Sequence, residues 1–382
     1  MKAEQFNFDD MRPYHDAEVS AALARIATDP LFTKLGKYIW PEVAEEILVA
    51  KAKKIHSVLD FQLQFMHPAI RSIVDRSTDG LSYSGLENLN KEASYLFIAN
   101  HRDILLDSAL LQIILVENNF KTSEITFGNN LMETEFITDF GKLNRMFTVL
   151  REGTGRELYD ISKKLSAYIR HTIIDKRVSV WIAQRSGRTK DGYDQTQTGL
   201  LKMLNMSGVG ELFENFSELK IVPLTLSYEY EPCDKLKVQE LYLSSLHTQY
   251  KKSQGEDLTN IITGIVEPKG RIHLVFGKPI NPALGQLTPL KNENEKIKKL
   301  AALIDQQIYE NYKLWPVNYI AGDLLEKNSR FATHYSAAEK EKFQKHFSAK
   351  LENLDGDKEG LLNLYLKIYA NPVYNKIANS KS

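Results

Sequence analysis

Tyr95-Leu-Phe-Ile-Ala-Asn-His-Arg-Asp-Ile-Leu-Leu-Asp107 is the stretch on which the reading of this chain turns. Tyr95 to Ala99 reads as a strand, and Asp107 to Val116 as a helix. A strand ending in Asn-His, followed by an acidic residue as a helix opens, brings imidazole and carboxylate near each other at the carboxyl edge of a sheet. That edge is where α/β proteins keep their sites. A carboxylate that accepts from one ring nitrogen fixes the tautomer and raises the basicity of the other, which can then take a proton from a hydroxyl. On these residues alone His101 and Asp107 have two readings. They form a general-base pair without a protein nucleophile, or His101 caps the helix while Asp107 pairs with a nearby arginine.

Working outward, the texture on both sides of this stretch is strand alternating with helix. Leu81 to Gly85, Ile125 to Phe127, Arg145 to Leu150, Val178 to Ala183, Ile221 to Tyr228 and Arg271 to Phe276 read as strands, with helices predicted over 158–172 and 197–205. Such alternation predicts an α/β sheet with helices on its faces. The first 75 or so residues read as helical, with Pro41 placed as a first-turn proline ahead of Val43, Ile47 and Leu48. Beyond Pro282 the chain turns helical again. The expected organisation is therefore a helical region over 1–80, an α/β domain over 81–285 and a helical region over 286–382.

Composition bounds the partners. The 382 residues carry 49 Lys+Arg against 49 Asp+Glu, and 43% are apolar, enough for a sizeable core and too many for intrinsic disorder. Zero net charge argues against a dedicated nucleic-acid binder, which needs a surplus of cations. A single cysteine, Cys233, can make neither an internal disulfide nor a cysteine zinc site. No stretch approaches the ~20 apolar residues of a membrane span. The N-terminal residues lack the apolar core of a signal peptide, so a cytoplasmic protein is expected.

Within the neutral total, the stretch from Arg170 to Lys190 holds Arg170, Lys176, Arg177, Arg185, Arg188 and Lys190 against Asp175 alone. Arg185-Ser-Gly-Arg188 follows a strand, and arginines interleaved with small residues there can converge on a phosphate or simply form a solvated turn. Arg151-Glu-Gly-Thr-Gly-Arg156 offers the same choice after another strand. Pro223, inside Ile221 to Tyr228, marks an edge or a bulge. Walker-type glycine loops, Gly-x-Ser-x-Gly elbows and HExxH are missing, which removes the usual NTPase, serine-hydrolase and zincin readings.

The order of these blocks resembles the glycerolipid acyltransferase superfamily, which includes the glycerol-3-phosphate and 1-acylglycerol-3-phosphate acyltransferases. The resemblance runs through Gly85-Leu-Glu-Asn-Leu89, Leu96 to His101 with Asp107, Phe147 to Arg151, Ser186-Gly-Arg188, Val222-Pro223 and Phe276-Gly-Lys-Pro-Ile280, covering roughly 81–285. It implies the mixed sheet of that family, with His101 as general base, Asp107 as its partner, and direct attack of a glycerol hydroxyl on an acyl thioester. Arg151, Arg188, Ser186 and Gly187 match blocks that bind the acceptor's phosphate, and Pro223 matches a block linked to the acyl donor. The donor would be acyl-CoA or acyl carrier protein, as co-substrate and not as resident cofactor, and no metal is implied.

Two departures stand out. The family has four residues between its His and Asp where this chain has five, so Asp103 competes with Asp107; Asp107-Ser-Ala-Leu-Leu fits the family helix better. The phosphate block normally reads Glu-Gly-Thr-Arg, and Arg185 falls where the Glu belongs. The alternatives are acylation of another lipid acceptor, or a catalytically silent lipid- or acyl-thioester-binding protein. Because the lipids involved reside in bilayers, the resemblance also implies peripheral contact with a membrane, through apolar and basic residues near Trp40, Lys51 to Lys54 or Trp315.

Overall fold

The computed structural model describes residues 6–132, 134–150, 153–246 and 250–380. Before the first strand come five helices: α1 Asp16–Thr28, α2 Pro30–Ile39, α3 Glu45–Ala52, α4 Val58–Phe61 and α5 His67–Ser77. A π-helical turn, Gln62–Met66, joins the last two. Then follow β1 Leu81–Ser84, β2 Leu96–Ala99, α6 Leu106–Glu117, β3 Glu124–Gly128, α7 Glu135–Leu143, β4 Met146–Val149, α8 Gly155–Ile174 and β5 Val180–Ala183. The sheet is completed by β6 Ile221–Tyr228 and β7 Ile272–Phe276, with α9 Thr198–Asn205 and α10 Leu212–Leu219 before β6, and α11 Asp234–Leu246 and α12 Glu256–Val266 after it. The chain ends in α13 Glu293–Glu310, α14 Pro316–Glu326, α15 Ala337–Leu351 and α16 Lys358–Asn379.

Seven strands form one mixed sheet in the order β1-β7-β6-β2-β5-β3-β4. All neighbours pair in parallel except β6 with β7, which run antiparallel. Side chains alternate between faces along β2, as strand geometry requires. Leu96 and Ile98 pack towards α8, α9 and α13, whereas Phe97 and Ala99 pack towards α5, α6 and α12. Every residue of β2 and of β6 is buried, so neither strand meets solvent on either face. Each such Leu, Ile or Phe contributes about 1.5–3 kcal/mol relative to exposure, which fixes the register of the central strands.

Pro223 therefore sits in an interior strand, beside Ile98 of β2, and marks no edge. A proline is tolerated because Leu224 presents its backbone to β2, so the backbone of Pro223 faces β7. The β6–β7 ladder begins only at Leu224, and the Pro223 carbonyl accepts from Gly277 N–H at 2.9 Å. Pro41 also differs from expectation, lying in a turn before α3; the first-turn prolines are Pro30, Pro68 and Pro316.

The flanking helices are not loose appendages. The core of α1 to α4 includes Phe136 and Leu143 of α7, and α13 shares the core of one sheet face. The last three helices form their own core, in which Trp315 is buried instead of lying ready for an interface. Among the described residues no helix is long and apolar enough to cross a membrane. The loop after β5 meets α16 at Gly192, whose φ is +77° and whose added Cβ would come within 2.2 Å of the Ile368 carbonyl oxygen. Gly192→Ala should cost about 2–3 kcal/mol through left-handed strain and this clash, read as a lowered urea midpoint.

Candidate active site

The parallel strands aim the loops after β2, β5 and β6 at the same edge of the sheet, with β2 between the other two. Asn100 extends β2 by one residue in side-chain form: its Oδ1 accepts from Leu226 N–H at 2.8 Å and its Nδ2 donates to the Leu226 carbonyl at 3.0 Å. This fixes where the chain leaves the sheet, and His101 comes next. Its carbonyl accepts from Thr189 N–H at 2.8 Å, tying the loop after β2 to the loop after β5. Its ring meets Trp181 edge to face, with centroids 5.4 Å apart.

His101 Nδ1–H donates to Asp107 Oδ2 at 2.8 Å, across side chains 13% and 0% exposed. Nε2 makes no hydrogen bond among the described residues. Asp107, in the first turn of α6, also accepts from the backbone N–H of Arg102 at 2.5 Å and of Asp103 at 3.0 Å. Its other oxygen, Oδ1, accepts from the Tyr228 hydroxyl at 2.8 Å. Burial alone would favour the neutral acid. The hydrogen bond and charge of His101 and the two backbone donors outweigh it, holding the Asp107 carboxyl below the ordinary range.

Asp103 has a different task. Its Oδ1 accepts from Leu105 N–H at 2.9 Å and Leu106 N–H at 2.8 Å, closing the turn into α6. Its Oδ2 is buried without a hydrogen-bond partner, against Gly264 of α12. The extra residue between His101 and Asp107 is thus absorbed in a turn stitched by Asp103, and Asp107 is the carboxylate that reaches the ring.

Of the other residues marked in the sequence, Arg188 is only 6% exposed, with Nη1 unpartnered, and its charge acts on Asp103. Arg185 is half-buried with a buried, unpartnered Nε, while Ser186 is exposed at the loop tip beside Gly187, which has φ +74° and open space around it. Arg151 lies outside the described residues. The basic stretch as a whole does not converge. Arg170, Lys176 and Arg177 precede β5, at the opposite edge of the sheet, where Arg170 pairs with Glu218 and Lys176 with Glu124. Lys190 pairs with Glu240. Only Arg185 and Arg188 remain near the His101 loop.

The sequence reading missed the polar shell behind this loop. Arg102 is buried against Asp194 at 2.5 Å and Glu231 at 3.4 Å, and its carbonyl accepts from the buried Lys237 Nζ at 2.7 Å. Asp194 Oδ2 also accepts from Tyr312 at 2.6 Å and from Asn100 at 3.2 Å. Gln184, fully buried at the end of β5, has neither amide atom partnered among the described residues. Lone polar residues after strands are the only sequence signal for these. Also missed is an apolar cavity of about 260 Å³, walled by Leu31, Phe32, Phe65, Phe136, Ile262 and Val266 and reaching Ile104 and Leu105 inside the His101–Asp107 turn. Its signal was the helical spacing of Leu258, Ile261, Ile262 and Ile265.

A His–Asp pair at the carboxyl edge of a mixed α/β sheet, with no protein nucleophile bonded to the imidazole among the described residues, is an arrangement able to activate a substrate's own hydroxyl or water. Residues 80–227, a little over a third of the chain, match the model of the family described as Acyltransferase. No curated protein matches the chain. Among solved structures, the 1-acyl-sn-glycerophosphate acyltransferase PlsC from Thermotoga maritima is similar over 75% of this chain and 94% of its own, at 12% identity and a TM-score of 0.34. A likeness so slight carries no weight for the site.

Burial and the neighbouring Asp107 charge raise the Asp103 carboxyl above its ordinary value. A carboxyl whose folded pKa is raised contributes stability below its unfolded pKa and loses it as pH rises through the folded value. Asp103→Asn keeps the Oδ1 acceptor and removes the charge. Its unfolding free energy should therefore gain on wild type as pH rises above the ordinary carboxylate range, as measured by urea titration at each pH.

Proposed function

We propose that this acyltransferase moves a fatty acyl group from acyl-CoA or acyl carrier protein to the hydroxyl of glycerol 3-phosphate or 1-acylglycerol 3-phosphate, a step of phospholipid synthesis. The observation that carries the reading is the His101–Asp107 pair, held in a turn whose Ile104 and Leu105 wall the apolar cavity. Nε2 takes the proton of the acceptor hydroxyl as its oxygen attacks the thioester carbonyl. The tetrahedral intermediate collapses, the C–S bond breaks, and the imidazolium returns the proton to the leaving thiolate. Asp107 holds the ring and stabilises its cationic form. A thioester needs no covalent enzyme intermediate once both substrates are held in place. In this reading Arg185 and Arg188, with Arg151, Ser186 and Gly187, supply the acceptor's phosphate site, and Pro223 belongs to the block linked to acyl-donor binding.

The acyl chain fits the chemistry of the apolar cavity. Exposed Ile47, Leu59 and Leu63 together with exposed Lys51, Lys53 and Lys54 suit peripheral contact with an anionic bilayer from the cytoplasmic side. The cation Arg185 in place of the family's Glu favours a second reading, acyl-thioester binding without turnover. Binding of acyl-CoA by the wild type with no thiol release for any glycerol phosphate acceptor supports that one instead.

Three measurements test the proposal. His101→Ala should lower thiol release on the order of 10³-fold, and undiminished turnover with every donor would falsify the general-base role. Each methylene that enters the cavity is worth about 0.8 kcal/mol, so donor KM should fall about fourfold per added carbon until the cavity is filled. A KM independent of chain length counts against the cavity. The protein should co-float with anionic vesicles at low salt and less so at high salt.

A further inference from the structure

We propose that Tyr228 is a positioning residue for the transfer reaction, the third member of a Tyr228–Asp107–His101 chain that sets where the general base points and how strongly it holds a proton. The inference rests on His101 acting as the base, as read above, and extends it to a residue on a different strand.

Asp107 has two oxygens with unequal support. Oδ2 accepts from His101 Nδ1 and from two backbone N–H groups, all within one turn of the chain. Among the described residues Oδ1 accepts only from the Tyr228 hydroxyl, at 2.8 Å, and that residue is 121 positions further along the sequence. The carboxylate is wholly buried, so no water replaces this donor. The phenol is buried as well, at 5% exposure, as the last residue of β6, and its ring packs in the core of the α6 face. A buried hydroxyl whose sole partner is a carboxylate oxygen has one task, to clamp that carboxylate in the plane that meets the imidazole. Burial and the Asp107 charge hold the phenol far above its ordinary pKa, so it stays a donor through the working range of pH.

The clamp also divides charge. A carboxylate that accepts from a phenol has less negative charge to place on the imidazolium. The titratable groups facing Asp107 are His101, Asp103 and Tyr228; Arg188 acts on Asp103, and Glu231 acts on Tyr228. Of these, only Tyr228 can lose its hydroxyl without changing a charge.

Tyr228→Phe keeps the ring in the core. It should lower kcat about tenfold, leave KM for the acyl donor within about twofold, and move the acid limb of kcat/KM against pH upward by about half a unit. The sign follows because the freed carboxylate stabilises the protonated ring more, so the base is disabled to higher pH. A 3-fluorotyrosine at position 228 is a stronger donor of nearly the same shape. It should keep turnover within about twofold and move the acid limb downward. Unchanged kcat and pH profile in Tyr228→Phe, or a loss of kcat accompanied by no movement of the limb, overturns the proposal. The titration of the His101 ring by NMR of ¹⁵N-histidine protein gives the same answer without turnover. An upward move in Tyr228→Phe supports the chain of contacts even if acyl transfer is never detected, and an unmoved midpoint sinks it while leaving the general-base reading intact.

Discussion

A single buried carboxylate organises this protein. Asp107 is fully removed from solvent, and an ion there is tolerable only because four donors converge on its two oxygens. Two of them are backbone groups of the turn that leaves β2, so the turn must close around the carboxylate to satisfy it. The third is the imidazole, which is thereby held through Nδ1. The fourth reaches across from β6 and locks the turn to the sheet. Remove the carboxylate and the turn, the ring and the end of β6 all lose a reason to be where they are.

The same logic extends outward through a second buried layer. Arg102 follows His101 and is buried against Asp194 and Glu231. Asp194 gathers Tyr312, which follows α13, and the Glu231 N–H donates to Tyr369 of α16 at 3.0 Å. Breaking one member of such a network strands the others uncompensated, which makes the arrangement unforgiving. The C-terminal helices are thus part of the support for the site. On the opposite side, the N-terminal helices wall the apolar cavity. The sheet contributes the edge, and the two helical regions contribute what lies behind it and beside it.

Much of this was legible in the sequence, for identifiable reasons. The strands announced themselves because they are short apolar runs between turn residues, and the observed β6 coincides with the run from Ile221 to Tyr228. His101 and Asp107 could be paired because their contact is local. What failed was whatever depends on long-range geometry. The basic stretch from Arg170 to Lys190 looked like one cluster, yet β5 runs through it and carries its two halves to opposite edges of the sheet. Pro223 looked like an edge marker because sequence cannot tell which neighbour its missing N–H would face. Trp315 looked exposed, although its ring is buried beneath the Arg271 guanidinium, 4.4 Å from the ring centroid. α7 and α10 to α12 escaped notice, and with them the cavity, whose walls come from segments more than two hundred residues apart.

The strand order has a consequence for how the molecule comes into being. β2 can find its α/β neighbours β5 and β6 only after the chain has been made through Tyr228, and β1 waits for β7, whose paired residues lie 191 positions away. Contacts so distant in sequence form slowly, because loop-closure entropy opposes them before they are rewarded. During synthesis the emerging chain holds His101 and Asp107 long before it holds Tyr228, Tyr312 or Tyr369. A nascent chain therefore carries His101 and Asp107 without the frame that orients them, and that frame is completed late, when the C-terminal helices have been made.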